Sequence, residues 1–243
     1  MSYRLSHSSH GKAAQYDRSL SSGYHHDLWT EVERPLIERV LHGLRDSGAT
    51  RCLDFACGTG RVTAVCEPVF ATTVGVDVSD EMLSRARERC QRATLVRADL
   101  TQGRPDQVPP RVDVATAFRF FVNAEPSLRR DALQALRTLL SPDGHLVMNV
   151  QWNTTSLAGA AYRLRGLLSG NVPPTLSPAA TRRLLESNGF VVVAHHDYGA
   201  LPWMGSRWNI STPQRMRTAE RWLAGRRLAR GHLQQFLVVA RAT

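Results

Sequence analysis

The sequence predicts an α/β fold: a doubly wound, mostly parallel sheet with helices packed on both faces. Short valine-rich runs recur along the chain, among them 51–55 and 72–77, and amphipathic helical segments separate them. Parallel strands need such crossover segments, and strands buried on both faces are apolar without alternation. The chain has 243 residues, of which 42% are hydrophobic, which is enough for one large core. We therefore predict a single domain over residues 1–243.

The N-terminal part of the chain is predicted to form helices that cover the rest. The helical pattern begins at Tyr24, and Thr30 and Glu33 have the spacing of a capping box, which satisfies the free N–H groups of a helix start. Pro35 suits the first turn of that helix. We interpret residues 1–46 as N-terminal lid helices.

Seven strands are predicted to alternate with helices. The strands are expected at 51–55, 72–77, 93–99, 112–118, 144–150, 190–196 and 235–241. Helices are expected at 60–70, from Asp80, at 127–140, and from Ser177 to a C-terminal Gly189. Two stretches, 151–176 and 198–232, interrupt this alternation. Because open α/β sheets bind ligands at the carboxyl ends of their strands, we predict that both are substrate-side insertions.

Charge and composition indicate which binding partners the protein is expected to have. The formal net charge is +10, but the basic residues are almost all arginine, with Lys12 the only lysine. The arginines are scattered along the chain, which favours a solvated surface over a nucleic-acid site. No apolar run is long enough to span a membrane, and the first 17 residues show no targeting pattern. The four cysteines lack metal or disulfide spacing. We expect a cytoplasmic protein without a metal; a homodimer stays open.

The stretch "LDFACGTG", residues 53–60, indicates the cofactor. A glycine loop between a strand and a helix usually attracts an anion such as a pyrophosphate. Here Asp54 stands at the entrance of the loop, where it would repel a phosphate. The ligand should therefore carry a cation and bring no phosphate near the loop. S-adenosylmethionine meets both demands, whereas an NAD(P)-dependent oxidoreductase would need a pyrophosphate beside Asp54.

Three further motifs follow the loop in order: "GVDVSDEML" (75–83), "RADL" (97–100) and "AFRF" (117–120). With these motifs the chain resembles a class I S-adenosylmethionine-dependent methyltransferase over residues 24–195 and the last strand. The resemblance implies a Rossmann-like, seven-stranded sheet whose last strand is antiparallel. The family loop carries three glycines, and Ala56 replaces the first of them.

The resemblance also implies the cofactor site. Asp77, at the end of the second strand, would accept both ribose hydroxyls, and Asp99 would accept from the adenine amino group. The full set of expected cofactor residues is Tyr16, Asp54, Ala56, Gly58, Gly60, Asp77, Val78, Met82, Ala98, Asp99, Leu100, Ala117 and Phe118.

The acceptor is predicted from motifs that the sequence lacks and from aromatic residues that it has. Strand four exits into Phe118-Arg119-Phe120-Phe121, without the Asn/Asp-Pro-Pro-Tyr/Phe motif of adenine- and glutamine-amino methyltransferases, and no cysteine follows a proline as in cytosine C5 enzymes. We predict methylation of an oxygen or nitrogen of a small molecule in specialised metabolism, such as antibiotic biosynthesis. The alternative is an RNA or protein methyltransferase. Candidate proton acceptors are His25, His195 and His196, and candidate acceptor-binding residues are Asn149, Gln151, Trp152, Tyr198 and Trp203.

Overall fold

The computed structural model describes residues 22–170, 172, 174–201, 212–223 and 231–243. Its centre is a seven-stranded sheet in the order β3-β2-β1-β4-β5-β7-β6. β7 pairs antiparallel with β5 on one side and with β6 on the other, and the other neighbouring pairs are parallel. The predicted fold class is thereby confirmed. The strands are β1 Arg51–Phe55, β2 Thr72–Asp77, β3 Thr94–Arg97, β4 Val112–Ala117, β5 Leu140–Val150, β6 Phe190–Tyr198 and β7 Gln235–Ala242.

The helices cover both faces of this sheet. Along the central strands, Val114, Val147 and Leu237 belong to one buried cluster, and their neighbours face a second cluster on the opposite side. The described helices are α1 Gly23–Leu28, α2 Arg34–Asp46, α3 Thr63–Cys66, α4 Asp80–Arg89, α5 Pro126–Leu139, α6 Leu157–Leu168, α7 Pro178–Glu186 and α8 Pro213–Leu223. Among these helices, none is long and apolar enough to cross a membrane.

Several boundaries differ from the prediction for local reasons. The helix expected at 60–70 is only the short α3, because Gly60 has a left-handed φ of 74° and Pro68 follows close behind the helix. β5 begins at Leu140 and not at residue 144, because Leu140 pairs with Val112 ahead of a register shift. β1 and β2 have the predicted limits.

The predicted capping box is wrong. A π-helical segment, Trp29–Glu33, joins α1 to α2 without a break, and the Arg34 N–H donates to the Trp29 carbonyl. Glu33 therefore lies inside a continuous helix, and its side chain makes no capping hydrogen bond. Pro35 has no N–H, so a regular α-helical ladder would be interrupted here in any case. The helix that the capping box was expected to start begins about two turns earlier, at Gly23.

Candidate active site

A cavity lies at the carboxyl ends of β1, β2 and β4. The chain order reverses at this point, because β1 has β2 on one side and β4 on the other. Open α/β sheets bind ligands at such a switch point. Ten of the expected cofactor residues line the cavity: Asp54, Ala56, Gly58, Asp77, Val78, Met82, Ala98, Asp99, Leu100 and Phe118. Gly60 and Ala117 adjoin lining residues without lining the cavity themselves, and Tyr16 lies outside the described residues.

The loop between β1 and α3 bends through three left-handed residues. Ala56, Gly58 and Gly60 have φ values of 53°, 55° and 74°. A side chain at Gly60 would also lie 3.0 Å from Ala86 Cβ and 3.0 Å from Cys90 Sγ. Gly60 is thus required both by conformation and by the close approach of α4. Ala56 adopts a conformation that glycine prefers, which stores strain beside the cavity.

Asp77 fastens this loop to the end of β2. One of its oxygens accepts from the Gly58 N–H at 2.8 Å, and the other accepts from the Ser79 N–H at 2.9 Å. Ser79 in turn caps α4 by accepting from the Met82 N–H. The helix cap is thus made by the Ser79 side chain, and the Asp77 carboxylate takes no part in it.

Asp99 follows β3 in the motif that resembles the adenine site. Its Oδ1 accepts from the Thr101 N–H at 3.0 Å and from the Thr101 hydroxyl at 2.6 Å, which is the geometry of an Asx turn. The residue thus shapes its own turn while it lines the cavity.

Asp54 is enclosed below the loop. The side chain of this 1% exposed residue accepts from the Thr63 hydroxyl at 2.5 Å and from the Thr116 hydroxyl at 2.7 Å. Burial raises the pKa of Asp54 to about 6, and the two hydroxyls only partly oppose this effect. Each carboxylate oxygen already has a hydrogen-bond donor within the protein, which the sequence did not indicate.

A buried polar cluster adjoins the cavity; we call Glu33, Asn149, Tyr198 and Arg119 the Glu33 cluster, and of these Glu33 and Arg119 line the cavity. Glu33 Oε1 accepts from Asn149 Nδ2 and from the Tyr198 hydroxyl, both at 2.8 Å. Asn149 Oδ1 accepts from the Arg119 N–H at 2.8 Å, which holds Arg119 at a left-handed φ of 59°. Burial and then the adjacent Glu33 raise the pKa of Tyr198 well above its usual value, so the phenol remains a donor.

Of the expected acceptor-binding residues, Gln151 lines the cavity and Asn149 and Tyr198 support Glu33 from behind. Trp152 does not line the cavity; it stacks on Tyr162 at a ring distance of 4.2 Å. Trp203 lies outside the described residues.

The candidate histidines do not line the cavity. His195 stacks on Phe236 and contacts Asp197 at 3.0 Å, and His196 pairs with Leu237 across the sheet. Both lie on β6, the outermost strand, with β5 and β7 between them and β4. Burial, and then the charge of Arg119, lower the pKa of His25, whereas Glu33 opposes this effect.

Sequence reasoning missed several lining residues, among them Trp29, Glu33, Arg61 and Arg119. The Arg61 guanidinium lies 4.2 Å from the centre of the Trp29 ring. Arg61 directly follows the glycine loop and Arg119 directly follows Phe118, so adjacency to a motif could have indicated both. Nothing in the sequence around Glu33 indicates its partners. Within the part of the chain that the structure describes, no group of His, Cys, Asp or Glu could hold a metal ion.

Comparisons with known proteins agree with this geometry. A family model described as a methyltransferase domain matches residues 53–146. A trans-aconitate 2-methyltransferase of Yersinia pestis is 31% identical over 177 residues, which are 64% of this chain and 68% of that protein. A probable S-adenosylmethionine-dependent methyltransferase of Saccharomyces cerevisiae is 24% identical over 149 residues, which are 54% of this chain and 50% of that protein.

Solved structures share the fold. The magnesium protoporphyrin IX methyltransferase of Synechocystis, with bound S-adenosylhomocysteine, has a TM-score of 0.66 and 16% identity over 99% of this chain and 98% of its own. The pyocyanin biosynthetic protein PhzM has a TM-score of 0.56 and 17% identity over 80% of this chain and 51% of its own. With the motifs, the cavity and the Yersinia relative, these likenesses show that the chain belongs to the class I S-adenosylmethionine-dependent methyltransferases and that S-adenosylmethionine is its cofactor.

Proposed function

We propose that the enzyme methylates an oxygen or nitrogen of a small molecule in specialised metabolism. One observation carries the proposal: the cavity that the cofactor motifs line is also lined by Trp29, Glu33, Arg61, Arg119 and Gln151, which are not among the expected cofactor residues. A few convergent polar groups and an aromatic ring are typical of a small-molecule site.

The residues of the cofactor motifs are suited to hold the cofactor. S-adenosylmethionine supplies an electrophilic methyl group on a sulfonium. In this proposal Asp77 accepts from the ribose hydroxyls and Asp99 accepts from the adenine amino group. The backbone of Ala98 and Leu100 also contacts the adenine. Val78 and Met82 border the cavity as apolar walls for the adenine. The backbone at Ala56 and Gly58 lies open to the cavity and admits the cofactor closely. Phe118 lines the cavity and Ala117 lies beside it. Both stand after strand four, where members of the family contact the methionyl end of the cofactor.

The named relatives support a small acceptor. The proteins compared above are named for trans-aconitate, for magnesium protoporphyrin IX and for pyocyanin biosynthesis. Their acceptors differ from one another, so they support the size class and not one compound. Family membership leaves no place for the oxidoreductase alternative, because the cofactor is a methyl donor.

Two measurements test the proposal. Calorimetry should show that S-adenosylhomocysteine binds the wild type, and that Asp77→Ala lowers the affinity at least tenfold. Asp80→Ala is the matched control, since Asp80 lies three residues away and its side chain is 62% exposed. Methyl transfer from labelled S-adenosylmethionine should then appear with small molecules in an extract fraction. Transfer to RNA or protein alone would contradict the proposal.

A further inference from the structure

The Glu33 carboxylate has one oxygen that is hydrogen-bonded and one that receives no hydrogen bond from the described residues. Glu33 is 1% exposed and lines the cavity. Its Oε1 accepts two hydrogen bonds, whereas Oε2 accepts none from the described residues and lies 3.6 Å from an Arg119 guanidinium nitrogen. A buried acceptor without a donor is unfavourable unless a ligand supplies one. The π-helical turn that ends at Glu33 is a feature often found at functional sites.

Sheet topology places Arg119, and with it the adjacent Glu33, at the β4 end of the cavity, away from Asp99. Asp99 follows β3, Asp77 ends β2, Asp54 is in β1 and Arg119 follows β4, and these strands are consecutive in the sheet. With strands about 4.8 Å apart, β3 and β4 are about 14 Å apart. A cofactor with its adenine at Asp99 and its ribose at Asp77 therefore extends its amino-acid end toward β4. Arg119 and Glu33 stand there.

Asp54 is poorly suited to be the counter-ion of that end. Thr63 and Thr116 donate to its two oxygens, and, unlike the half-buried Asp77, whose oxygens are also engaged, Asp54 is 1% exposed, so that burial raises its pKa to about 6. Glu33 offers an oxygen without a hydrogen bond from the described residues, and Arg119 offers a cation beside it. A carboxylate next to a guanidinium is complementary to an α-amino acid head, which carries an ammonium and a carboxylate.

We propose that the Glu33–Arg119 pair binds the amino-acid head of the methyl donor, with the ammonium on Glu33 Oε2 and the carboxylate on Arg119. Tyr198 and Asn149 hold Glu33 in place, so these hydrogen bonds connect the binding residue of the N-terminal helix to β5 and β6. The inference rests on the cofactor site proposed above. The same pair could instead hold an amino-acid acceptor, and the experiment separates these two sources.

The test compares two ligands that differ in the amino-acid head. S-adenosylhomocysteine carries it, and 5′-methylthioadenosine lacks it. Calorimetry on the full chain should show that Glu33→Gln lowers the affinity for S-adenosylhomocysteine at least tenfold and changes the affinity for 5′-methylthioadenosine less than twofold. Glu38→Gln is the matched control, because Glu38 lies on α2 and its exposed side chain pairs with Arg34. It should change neither affinity.

A second variant covers the case in which Glu33→Gln fails to fold. The Arg119 side chain is 21% exposed, and Arg119→Gln keeps a residue of similar shape at the strained position. Arg119→Gln should lower the affinity for S-adenosylhomocysteine at least fivefold and leave the affinity for 5′-methylthioadenosine unchanged. The inference is overturned if Arg119→Gln, or a folded Glu33→Gln, binds S-adenosylhomocysteine as the wild type does, which would leave the pair to an amino-acid acceptor. The inference is also overturned if the affinities for both ligands fall by the same factor. Failure of the wild type to bind S-adenosylhomocysteine would instead contradict the proposed cofactor site.

Discussion

The two edges of the sheet treat their carboxylates in opposite ways. At the edge where β1 and β4 begin, Asp113 accepts from the backbone N–H groups of Thr50 and Arg51 at 3.0 Å and from the Arg51 guanidinium at 2.8 Å. Partial burial raises the pKa of Asp113, but these hydrogen bonds outweigh it and hold the pKa well below its usual value.

At the ligand edge the carboxylates are less favourably placed. Burial raises the pKa of Asp54 to about 6, and Glu33 keeps one oxygen without a hydrogen bond from the described residues. Ala56 and Arg119, two of the three described non-glycine residues with positive φ, line the cavity. The first edge stabilises the fold, whereas the second retains strain and buried charge where the ligand is expected. Such features persist where function requires them.

The largest effect is expected at the strand-start edge. Asp113→Ala should lower the free energy of unfolding by about 3 kcal/mol, because it removes the charged acceptor of several hydrogen bonds from Thr50, Arg51 and Ser141. Urea denaturation measures this loss. The affinity for S-adenosylhomocysteine should not change; a matching loss of affinity would contradict the division between the two edges. Asp46→Ala is the control, because its exposed side chain contacts only Arg45 among the described residues.

Asp54→Asn should change how stability depends on pH. The folded-state pKa of Asp54 is raised from 3.8 to about 6, so the folded state binds the proton more tightly than the unfolded state. Its contribution to stability is complete below about pH 4 and is lost as the pH rises through about 6. Relative to Asp54→Asn, the wild type should therefore lose about 2 to 3 kcal/mol between pH 4 and pH 8. Parallel stability curves for the two proteins would refute the raised pKa.

Gly60→Ala should destabilise the loop of the ligand edge by about 2 kcal/mol, from the left-handed φ and the crowding by Ala86 and Cys90. Gly43→Ala provides the control, since α2 leaves open space at Gly43. Replacing a helical glycine with alanine there should stabilise by about 0.5 to 1 kcal/mol. Thermal unfolding of both variants shows whether Gly60→Ala lowers the stability and Gly43→Ala raises it. A loss at Gly43 would show that helical context does not explain the contrast.

The smallest effect is expected for Ala56→Gly. Glycine removes the strain of the left-handed conformation, although it also increases the entropy of the unfolded chain. The net gain should be at most about 1 kcal/mol, measured by urea denaturation at neutral pH. A clear loss of stability would mean that the Ala56 methyl group packs favourably enough to offset its backbone strain.

Sequence reasoning was effective where the information is local. The limits of β1 and β2, the glycine loop and the Asp77 and Asp99 motifs follow from short stretches, because strand, turn and loop preferences act between near neighbours. The order of these motifs also predicted the family, which the comparisons confirm.

The position of Glu33 at the cavity depended on the tertiary structure. Glu33 meets Asn149 and Tyr198, which lie 116 and 165 positions further along the chain. Its spacing from Thr30 suggested a cap, and only the packing of the N-terminal helix on β5 and β6 gave it another role. β7, the last strand in sequence, inserts between β5 and β6, and His195 and His196 pair with β7 and do not line the cavity.

The sequence by itself determined the strands, the loop and the methyl donor, because each is encoded within a few consecutive residues. Only the tertiary structure decided which distant charges face that donor, since a buried carboxylate and its partners are joined by chain folding and by no local pattern.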